Sequence, residues 1–140
     1  MYRFARYLTL FVATAMLAGC GIKESFEEAE AEVASFHKAL DAGDTQKLWA
    51  TSDPEMRNEQ GREQFGKLLE AVHRKLGAVR ESKQLGWSAN AGTGGTFVTV
   101  TMKTTFEKGT GTEQFVYRKG DGGRLTLVSY EIQSRDMLLN

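Results

Sequence analysis

Between residue 25 and Gly77, apolar residues recur at the spacing of an α-helix. Ser25 is placed to cap a first helix, which Asp41-Ala42-Gly43-Asp44 ends, and Asp44 then caps a short second helix over Thr45–Thr51. A third helix is predicted over about Asn58–Leu76, and Gly77 ends it. The apolar stripe of the first helix consists of Phe26, Ala29, Val33, Phe36 and Leu40.

After Gly77 the period changes from helical to alternating, which is typical of strands. The fourth strand changes its apolar phase between Leu127 and Val128, which predicts a bulge or a change of burial there. Residues 89–95 are predicted to be a flexible loop. The predicted strands are Val79–Ser88, Phe97–Phe106, Glu113–Arg118 and Arg124–Gln133, and in the clearest of them Val98, Val100, Met102 and Phe106 alternate with Thr99, Thr101, Lys103 and Thr105.

Helices followed by an antiparallel meander indicate the α+β class. The predicted architecture is a set of N-terminal helices packed on a curved four-stranded antiparallel sheet, with one long helix in the concave face so that the whole is cone-like. Residues 25–135 form this single domain, and residues 136–140 form an exposed or docked C-terminal tail. The length suits one small domain.

The first 20 residues have the pattern of an export signal. Arg3 and Arg6 precede an apolar run over Tyr7–Leu17, which is shorter than the roughly 20 residues that span a bilayer. The run leads into Leu17-Ala18-Gly19-Cys20, which resembles the lipobox of bacterial lipoproteins. The alternatives to a lipoprotein signal are an ordinary signal peptide followed by a chance cysteine and a transmembrane anchor.

The lipobox resemblance implies how the protein is held and where. Residues 1–19 would be a cleaved signal peptide and residues 20–24 a lipidated tether, with diacylglycerol on Cys20 and often a further acyl chain such as palmitate on its amino group. Two or three chains anchor a protein firmly, whereas one chain anchors it only marginally. Gly21 stands where Asp favours inner-membrane retention, so the outer membrane, with the domain facing the periplasm, is expected.

Charge and cysteine content exclude several classes of function. The chain carries 18 basic and 18 acidic residues, and the signal removes two of the basic ones. This balance lacks the basic stripe of a nucleic-acid-binding protein. Cys20 is the single cysteine, so a lipidated chain has no disulfide, no thiol nucleophile and no cysteine metal site.

Two segments resemble the nuclear-transport-factor-2-like (NTF2-like), ketosteroid-isomerase-like (cystatin-like) superfamily, in particular its small bacterial envelope domains of unknown function. The first runs from Phe36 to Asp44 and continues to Leu48-Trp49, and the second comprises Gly111–Tyr117, Gly122–Leu125 and Tyr130–Ile132. The superfamily often has Trp where this chain has Leu125. The resemblance implies the cone-like fold and not one activity, because the fold hosts enzymes, binding proteins and dimerisation modules.

Enzymes of that superfamily place a carboxylate base and hydroxyl donors inside the cone. No such set is recognised in this chain, and we expect no catalytic residue. Asp41 and Asp44 are explained by helix capping, and Glu131 alternates with Tyr130 and so faces solvent. A buried carboxylate beside Tyr117 or Tyr130 would favour an isomerase-like or hydrolase-like enzyme.

The sequence indicates neither a metal nor a cofactor. His37 lies just off the apolar stripe and His73 follows Val72, with no H-x-x-x-H spacing between them. Gly92-Thr93-Gly94-Gly95 lacks the phosphate-binding pattern that leads into a helix.

The first functional hypothesis is a non-catalytic interaction or accessory module. It would dock a protein partner or a second copy through the polar sheet face that carries Thr99, Thr101, Lys103 and Thr105. The alternative is a binder of a small apolar or amphipathic ligand in the cone. That cavity would be lined by Phe36, Trp49, Phe65, Met102, Tyr117 and Tyr130.

Overall fold

The computed structural model of the chain describes residues 23–120 and 122–140, apart from the side chains of residues 59 and 60. The predicted signal peptide, Cys20 and the first part of the predicted tether lie outside the described residues. In the described part, no helix is both long enough and apolar enough to cross a bilayer.

Within the described residues, four helices and four strands follow one another in nearly the predicted order. They are α1 (residues 23–41), α2 (Thr45–Ala50), α3 (Glu59–Leu76), β1 (Val79–Gly92), β2 (Gly95–Phe106), β3 (Gly109–Lys119), β4 (Leu125–Gln133) and α4 (Arg135–Leu139). The strands form one antiparallel sheet in the order β1-β2-β3-β4. The predicted α+β class and curved four-stranded sheet are confirmed, and helices cover the concave face.

The helix ends follow from local chemistry. Gly43 and Gly77 have φ angles of 69° and 77°, which glycine adopts without steric cost, and they end α1 and α3. Asp44 caps α2 by accepting a hydrogen bond from the backbone N–H of Lys47 at 3.1 Å. Asn58 caps α3 in the same way by accepting from the N–H of Gly61 at 2.7 Å.

Ser25 does not cap α1, because residues 23 and 24 are already helical. The Ser25 side chain is buried instead, and the Nζ atom of Lys119 donates a hydrogen bond to its Oγ atom at 3.1 Å. This contact joins the beginning of α1 to the end of β3. The boundary expected at residue 25 therefore falls inside a helix that already includes Lys23 and Glu24.

The first hairpin is longer than predicted. Strand pairing continues through residues 89–92 and 95–97 to Gly92 opposite Gly95, so that only Thr93 and Gly94 form the turn. The predicted flexible loop over residues 89–95 is therefore wrong. Residues 88–94 are all exposed, so buried and exposed side chains do not alternate there. Because hydrophobic periodicity is the signal that predicts a strand, this backbone pairing cannot be recognised from the sequence.

The predicted bulge in the fourth strand is confirmed. Val116 pairs with Ser129 and the next residue, Tyr117, pairs with Leu127, so Val128 is the extra residue. The bulge lets Leu127 and Tyr130 both face the concave side of the sheet, where both are buried. Two further register shifts, between Val79 and Glu81 and between Gln84 and Gly86, interrupt the pairing of β1 with β2.

The C-terminal residues form a docked helix rather than an irregular tail. Ser134 caps α4, and the carboxylate of Asp136 accepts a hydrogen bond from the N–H of Thr110 at 2.8 Å. The Nζ atom of Lys75 donates to the carbonyl of Met137 at 2.7 Å. These bonds fix α4 between the end of α3 and the start of β3.

Candidate functional site

A carboxylate lies at the centre of the concave face. Glu113 on β3 shares its side of the strand with Phe115 and Tyr117, and its side chain is fully buried. Its Oε1 atom accepts a hydrogen bond from Thr104 Oγ1 at 2.5 Å and lies 2.8 Å from the Nε2 atom of His37. Its Oε2 atom accepts from the hydroxyl of Tyr130 at 2.6 Å. Burying a carboxylate is costly unless it is hydrogen-bonded in this way.

Ser82 completes what we call the Glu113 cluster, which comprises Ser82, Thr104, Glu113, Tyr130 and His37. A threonine hydroxyl has one hydrogen to donate, and that of Thr104 goes to Glu113. Ser82 therefore donates to Thr104 over the 2.8 Å between their hydroxyl oxygens. The cluster takes one residue from each of β1, β2, β3, β4 and α1, so it ties the long helix to every strand of the sheet.

The electrostatics keep Tyr130 a hydrogen-bond donor. Burial and, after it, the nearby charge of Glu113 raise the pKa of Tyr130 well above its ordinary value. Aromatic rings enclose this side of the cluster, with the ring centroid of Phe36 4.6 Å from that of Tyr130 and the centroid of Phe115 5.9 Å from that of His37. Each oxygen of Glu113 has at least one protein partner and the side chain is fully buried, so the carboxylate is not accessible to a substrate in this structure.

The structure places the six predicted cavity residues in or against one core but not around one cavity. Phe36 and Tyr117 line a surface cleft of about 230 Å³, whereas Trp49 and Phe65 line a different cleft of about 150 Å³. Met102 and Tyr130 line neither of these two clefts. Five of the six are buried and Trp49 is half-buried, packed against Phe65 with 6.2 Å between ring centroids.

Tyr117 differs from Tyr130 in having no partner for its hydroxyl. Its side chain is 2% exposed, and no hydrogen-bond partner for the hydroxyl lies within the described residues. Burial raises the pKa of Tyr117, and the charges of Glu32 and Glu113 raise it further. The hydroxyl is therefore a protonated donor that is shielded from solvent.

A second buried carboxylate holds the loop between α2 and α3. Asp53 donates its backbone N–H to the carbonyl of Leu127 at 2.8 Å, and its carboxylate pairs with Arg118 and accepts from Thr126 at 2.7 Å and from the N–H of Glu55 at 3.0 Å. Desolvation opposes ionisation, but the bonds from Thr126, Glu55 and Arg118 outweigh it and lower the pKa of Asp53. The arrangement covers the β4 edge of the sheet and is structural.

The sequence interpretation missed Glu113, Thr104 and Asp53. For the first two a signal exists in the alternation of the strands. Thr104 lies an even number of residues from the other buried residues of β2, and Glu113 lies an even number of residues from Phe115 and Tyr117, so each side chain points to the buried face. Asp44 caps α2 as predicted, but the capping role predicted for Asp41 is wrong, because its carboxylate accepts a hydrogen bond from the N–H of Val79 at the start of β1. Glu131 is exposed as predicted. His73 is exposed, and no group of three or more potential metal-binding side chains occurs in the described residues.

Comparison with known proteins gives a family and a fold. Residues 32–130 match a family described as protein of unknown function, DUF4019. No curated protein matches the chain.

The solved structures that resemble this one share its fold at low sequence identity. A protein from Catenulispora acidiphila is 18% identical with a TM-score of 0.50, over 81% of this chain and 94% of that one. ActVI-ORFA from Streptomyces coelicolor is 17% identical with a TM-score of 0.52, over 79% of this chain and 94% of that one. The protein Rd1NTF2_05, in a multiply substituted form, is 18% identical with a TM-score of 0.52, over 75% of this chain and 96% of that one. At this identity the likeness shows the fold alone, which is NTF2-like.

Proposed function

We propose that the chain, which belongs to the DUF4019 family of proteins of unknown function, is a lipid-anchored envelope protein whose NTF2-like domain binds a protein partner and catalyses no reaction. The observation that carries the proposal is the contrast between the two faces of the sheet. Helix α1 covers the concave face, whereas the opposite face presents exposed polar side chains such as Lys103 and Thr105.

The opposite, convex face is suited to a polar protein contact. Thr99 and Thr101 are half-exposed, and the neighbouring strands add further polar side chains on the same side. Lys103 and Glu131 bring both signs of charge, so the face has no single-sign field that would favour nucleic acid. Non-obligate interfaces are about as polar as the rest of a protein surface, so such a face is competent to bind. On β3 and β4, other residues of this face include Thr112, Gln114, Val116 and Ser129.

The absence of catalysis is proposed from the closure of the Glu113 cluster. A buried carboxylate beside Tyr130 is the feature that would favour an isomerase-like enzyme, and it is present. An acid or base must, however, come within hydrogen-bond reach of a substrate proton. Glu113 is fully buried and its two oxygens already have three protein partners, which supports a structural role.

The lipid anchor is proposed from the sequence alone, from Arg3, Arg6, the apolar run and the Leu17-Ala18-Gly19-Cys20 motif. Its test is incorporation of labelled palmitate in a bacterial host. Cys20→Ala should abolish labelling and release the protein from membranes, whereas Ser25→Ala, five residues later, should leave both unchanged. Labelling that persists in Cys20→Ala would contradict the anchor.

The partner hypothesis is tested by charge reversal on the convex face. In envelope extracts treated with a cross-linker, Lys103→Glu should remove the cross-linked species formed by the wild type, whether that species is a homodimer or a complex with another protein. Lys67→Glu, at an exposed site on α3, is the matched control and should retain it. If Lys103→Glu and a Thr101→Glu variant both keep every association, the convex face is not the interface.

A further inference from the structure

Strand β1 forms one edge of the sheet and ends in a hairpin with a two-residue turn, across which Gly92 pairs with Gly95. In such a hairpin the two residues that flank the turn exchange both of their backbone hydrogen bonds, and every second residue along the strand does the same. Ser88 is one of these residues, so its backbone bonds to β2. Trp87 and Ala89 lie between them and direct their N–H and C=O groups outwards, away from the sheet.

The outward backbone groups of this segment have no backbone partner among the described residues. An open strand edge is a template for pairing with another strand, and proteins usually protect such an edge with charged residues, proline or a bulge. In β1 these protective features come early in the strand. Arg80, Glu81 and Lys83 carry its charges and the register shift at Leu85 follows, whereas residues 86–92 contain neither a charged residue nor proline.

Large apolar side chains are exposed beside the same edge. Leu85 is 60% exposed and Trp87 is 40% exposed, and they are two of the four large hydrophobic side chains that the described part of the chain exposes. Trp87 pairs with Val100 and Ala89 pairs with Val98, and both valines are buried, so Trp87 and Ala89 share the concave side of the sheet. A strand added at this edge would cover the exposed part of the indole.

The uncharged segment is complementary to itself. When two copies pair antiparallel about Ser88, Trp87 of each copy lies opposite Ala89 of the other, and Gly86 lies opposite Asn90. Both Trp87 and Ala89 direct their backbone groups outwards, so they can form a hydrogen-bonded pair. Each bulky indole then meets a small side chain, no charged residue faces another, and the two Ser88 hydroxyls meet at the axis, where they can hydrogen-bond.

We propose that β1 pairs with β1 of a second copy of this chain, antiparallel about Ser88, so that the two sheets become one continuous sheet. The two-fold axis of such a pair is perpendicular to the sheet, so both concave faces and both α1 helices lie on the same side. The ring centroid of Phe26, in the first turns of α1, is 5.0 Å from that of Trp87, so both helices begin close to the axis. Two lipid anchors in this arrangement can enter one bilayer.

The first test places a cysteine at the axis. The full chain carrying Ser88→Cys is produced in the envelope of a bacterial host and treated with a mild oxidant, and the disulfide-linked dimer is measured on a non-reducing gel. Opposite Cα atoms of paired strands are about 4.5–5.5 Å apart, which a disulfide spans. In Asn90→Cys, also at an exposed position, the two cysteines would be displaced by about 13 Å along the strands and could not be joined.

We expect at least about tenfold more disulfide-linked dimer from Ser88→Cys than from Asn90→Cys, because only the first pair lies within reach of a disulfide. The wild type, treated in the same way, measures what Cys20, the single native cysteine, contributes. Similar yields from the two variants, or no dimer from Ser88→Cys, would overturn the proposal.

Two substitutions separate pairing through the edge from contact through the convex face. Ala89→Pro removes an outward N–H, a change that an edge strand tolerates, and should abolish the disulfide of Ser88→Cys. Lys103→Glu alters the convex face and should leave that disulfide unchanged. A disulfide that survives Ala89→Pro would contradict edge pairing. None of these results bears on the cross-linked species that the native chain forms through its convex face.

Amide hydrogen exchange provides a readout that needs no substitution. For the full chain in detergent micelles, exchange at Trp87 and Ala89 should be about tenfold slower or more at concentrations at which the dimer forms than after dilution to the monomer, because pairing buries these N–H groups in hydrogen bonds. Exchange at Ser88, whose N–H already bonds to β2, should change less. Outward amides that are equally protected in the monomer would show that something other than a second copy covers the edge, and would overturn the proposal.

Discussion

At the scale of single residues, the two buried tyrosines of the concave face form a natural pair for comparison. Tyr117 and Tyr130 lie on adjacent strands and are 2% and 6% exposed, but among the described residues only the hydroxyl of Tyr130 has a hydrogen-bond partner. Deletion of the hydroxyl by a Tyr→Phe substitution should therefore change the free energy of unfolding in opposite directions at the two positions.

Tyr130→Phe removes a donor to Glu113 and should lower the free energy of unfolding by about 1–3 kcal/mol. Tyr117→Phe removes an unpaired hydroxyl and should raise the unfolding free energy of the unliganded protein by roughly 1 kcal/mol, because the desolvation cost disappears and no bond is lost. Urea denaturation of both variants measures the difference. Equal destabilisation by the two changes would mean that Tyr117 has a partner in solution.

Glu113 should contribute more to stability than any exposed acid of the sheet. Glu113→Ala leaves His37, Thr104 and Tyr130 without their shared acceptor in a buried site, so we expect a loss of about 3 kcal/mol or more in unfolding free energy. Glu131→Ala, an exposed acid on β4, is the control and should change stability by no more than about 0.5 kcal/mol. Similar losses in the two variants would refute the central place of the Glu113 cluster.

The sequence identified the apolar members of the site better than its polar ones. Phe36, Tyr117 and Tyr130 follow from periodicity, because burial of apolar side chains is what the hydrophobic pattern records. A buried acid breaks that pattern, and the burial of Glu113 depends on donors that come from three other elements. Neither the pairing of His37 with Glu113 nor that of Asp53 with Arg118 has a local signal, since 76 and 65 residues separate the partners.

At the scale of elements, predictions succeeded where backbone chemistry is local. Gly43, Asp44 and Gly77 define helix ends through their own conformations, and the phase change before Val128 identified a bulge. The capping prediction for Ser25 was wrong because serine is also tolerated inside a helix when a distant residue, here Lys119, hydrogen-bonds to its hydroxyl. The hairpin over residues 89–97 was missed because its outer part is held by backbone pairing rather than by core contacts.

The loop between α2 and α3 should be sensitive to acid through Asp53. The pKa of Asp53 is lowered in the folded protein, so its stabilising contribution is complete above the unfolded-state pKa of about 3.9 and is lost as the pH falls through the lower folded-state value. Asp53→Asn should therefore lower the urea midpoint at pH 7, and the difference from the wild type should shrink below about pH 4. Glu131→Gln, at an exposed site, should show no such difference. A gap between wild type and Asp53→Asn that is constant from pH 7 to pH 3 would contradict the assignment.

At the scale of the whole molecule, the proposed lipid anchor determines which end of the domain faces the bilayer. Two residues lie between Cys20 and Lys23, the first described residue of α1, so the length of the chain allows the two at most about 11 Å of separation. Phe26 follows within one turn of the helix, and its ring centroid is 5.0 Å from that of Trp87, whose side chain is 40% exposed. An exposed tryptophan close to the anchor is well placed for the membrane interface, where its apolar ring and polar N–H are both accommodated.

The chain contains two tryptophans, so each variant that removes one of them isolates the fluorescence of the other. In vesicles that carry the acylated protein and brominated lipids, the Trp49→Phe variant should be strongly quenched, because its remaining emission comes from Trp87. The Trp87→Phe variant reports on Trp49, which packs against Phe65 of α3, and should be quenched less. Adding Cys20→Ala should abolish quenching in both. If the protein is acylated but the two tryptophans are quenched equally, the lipid anchor would be supported and this orientation of the domain would be rejected. Trp87 on β1 would then be no closer to the lipid than Trp49 on α2.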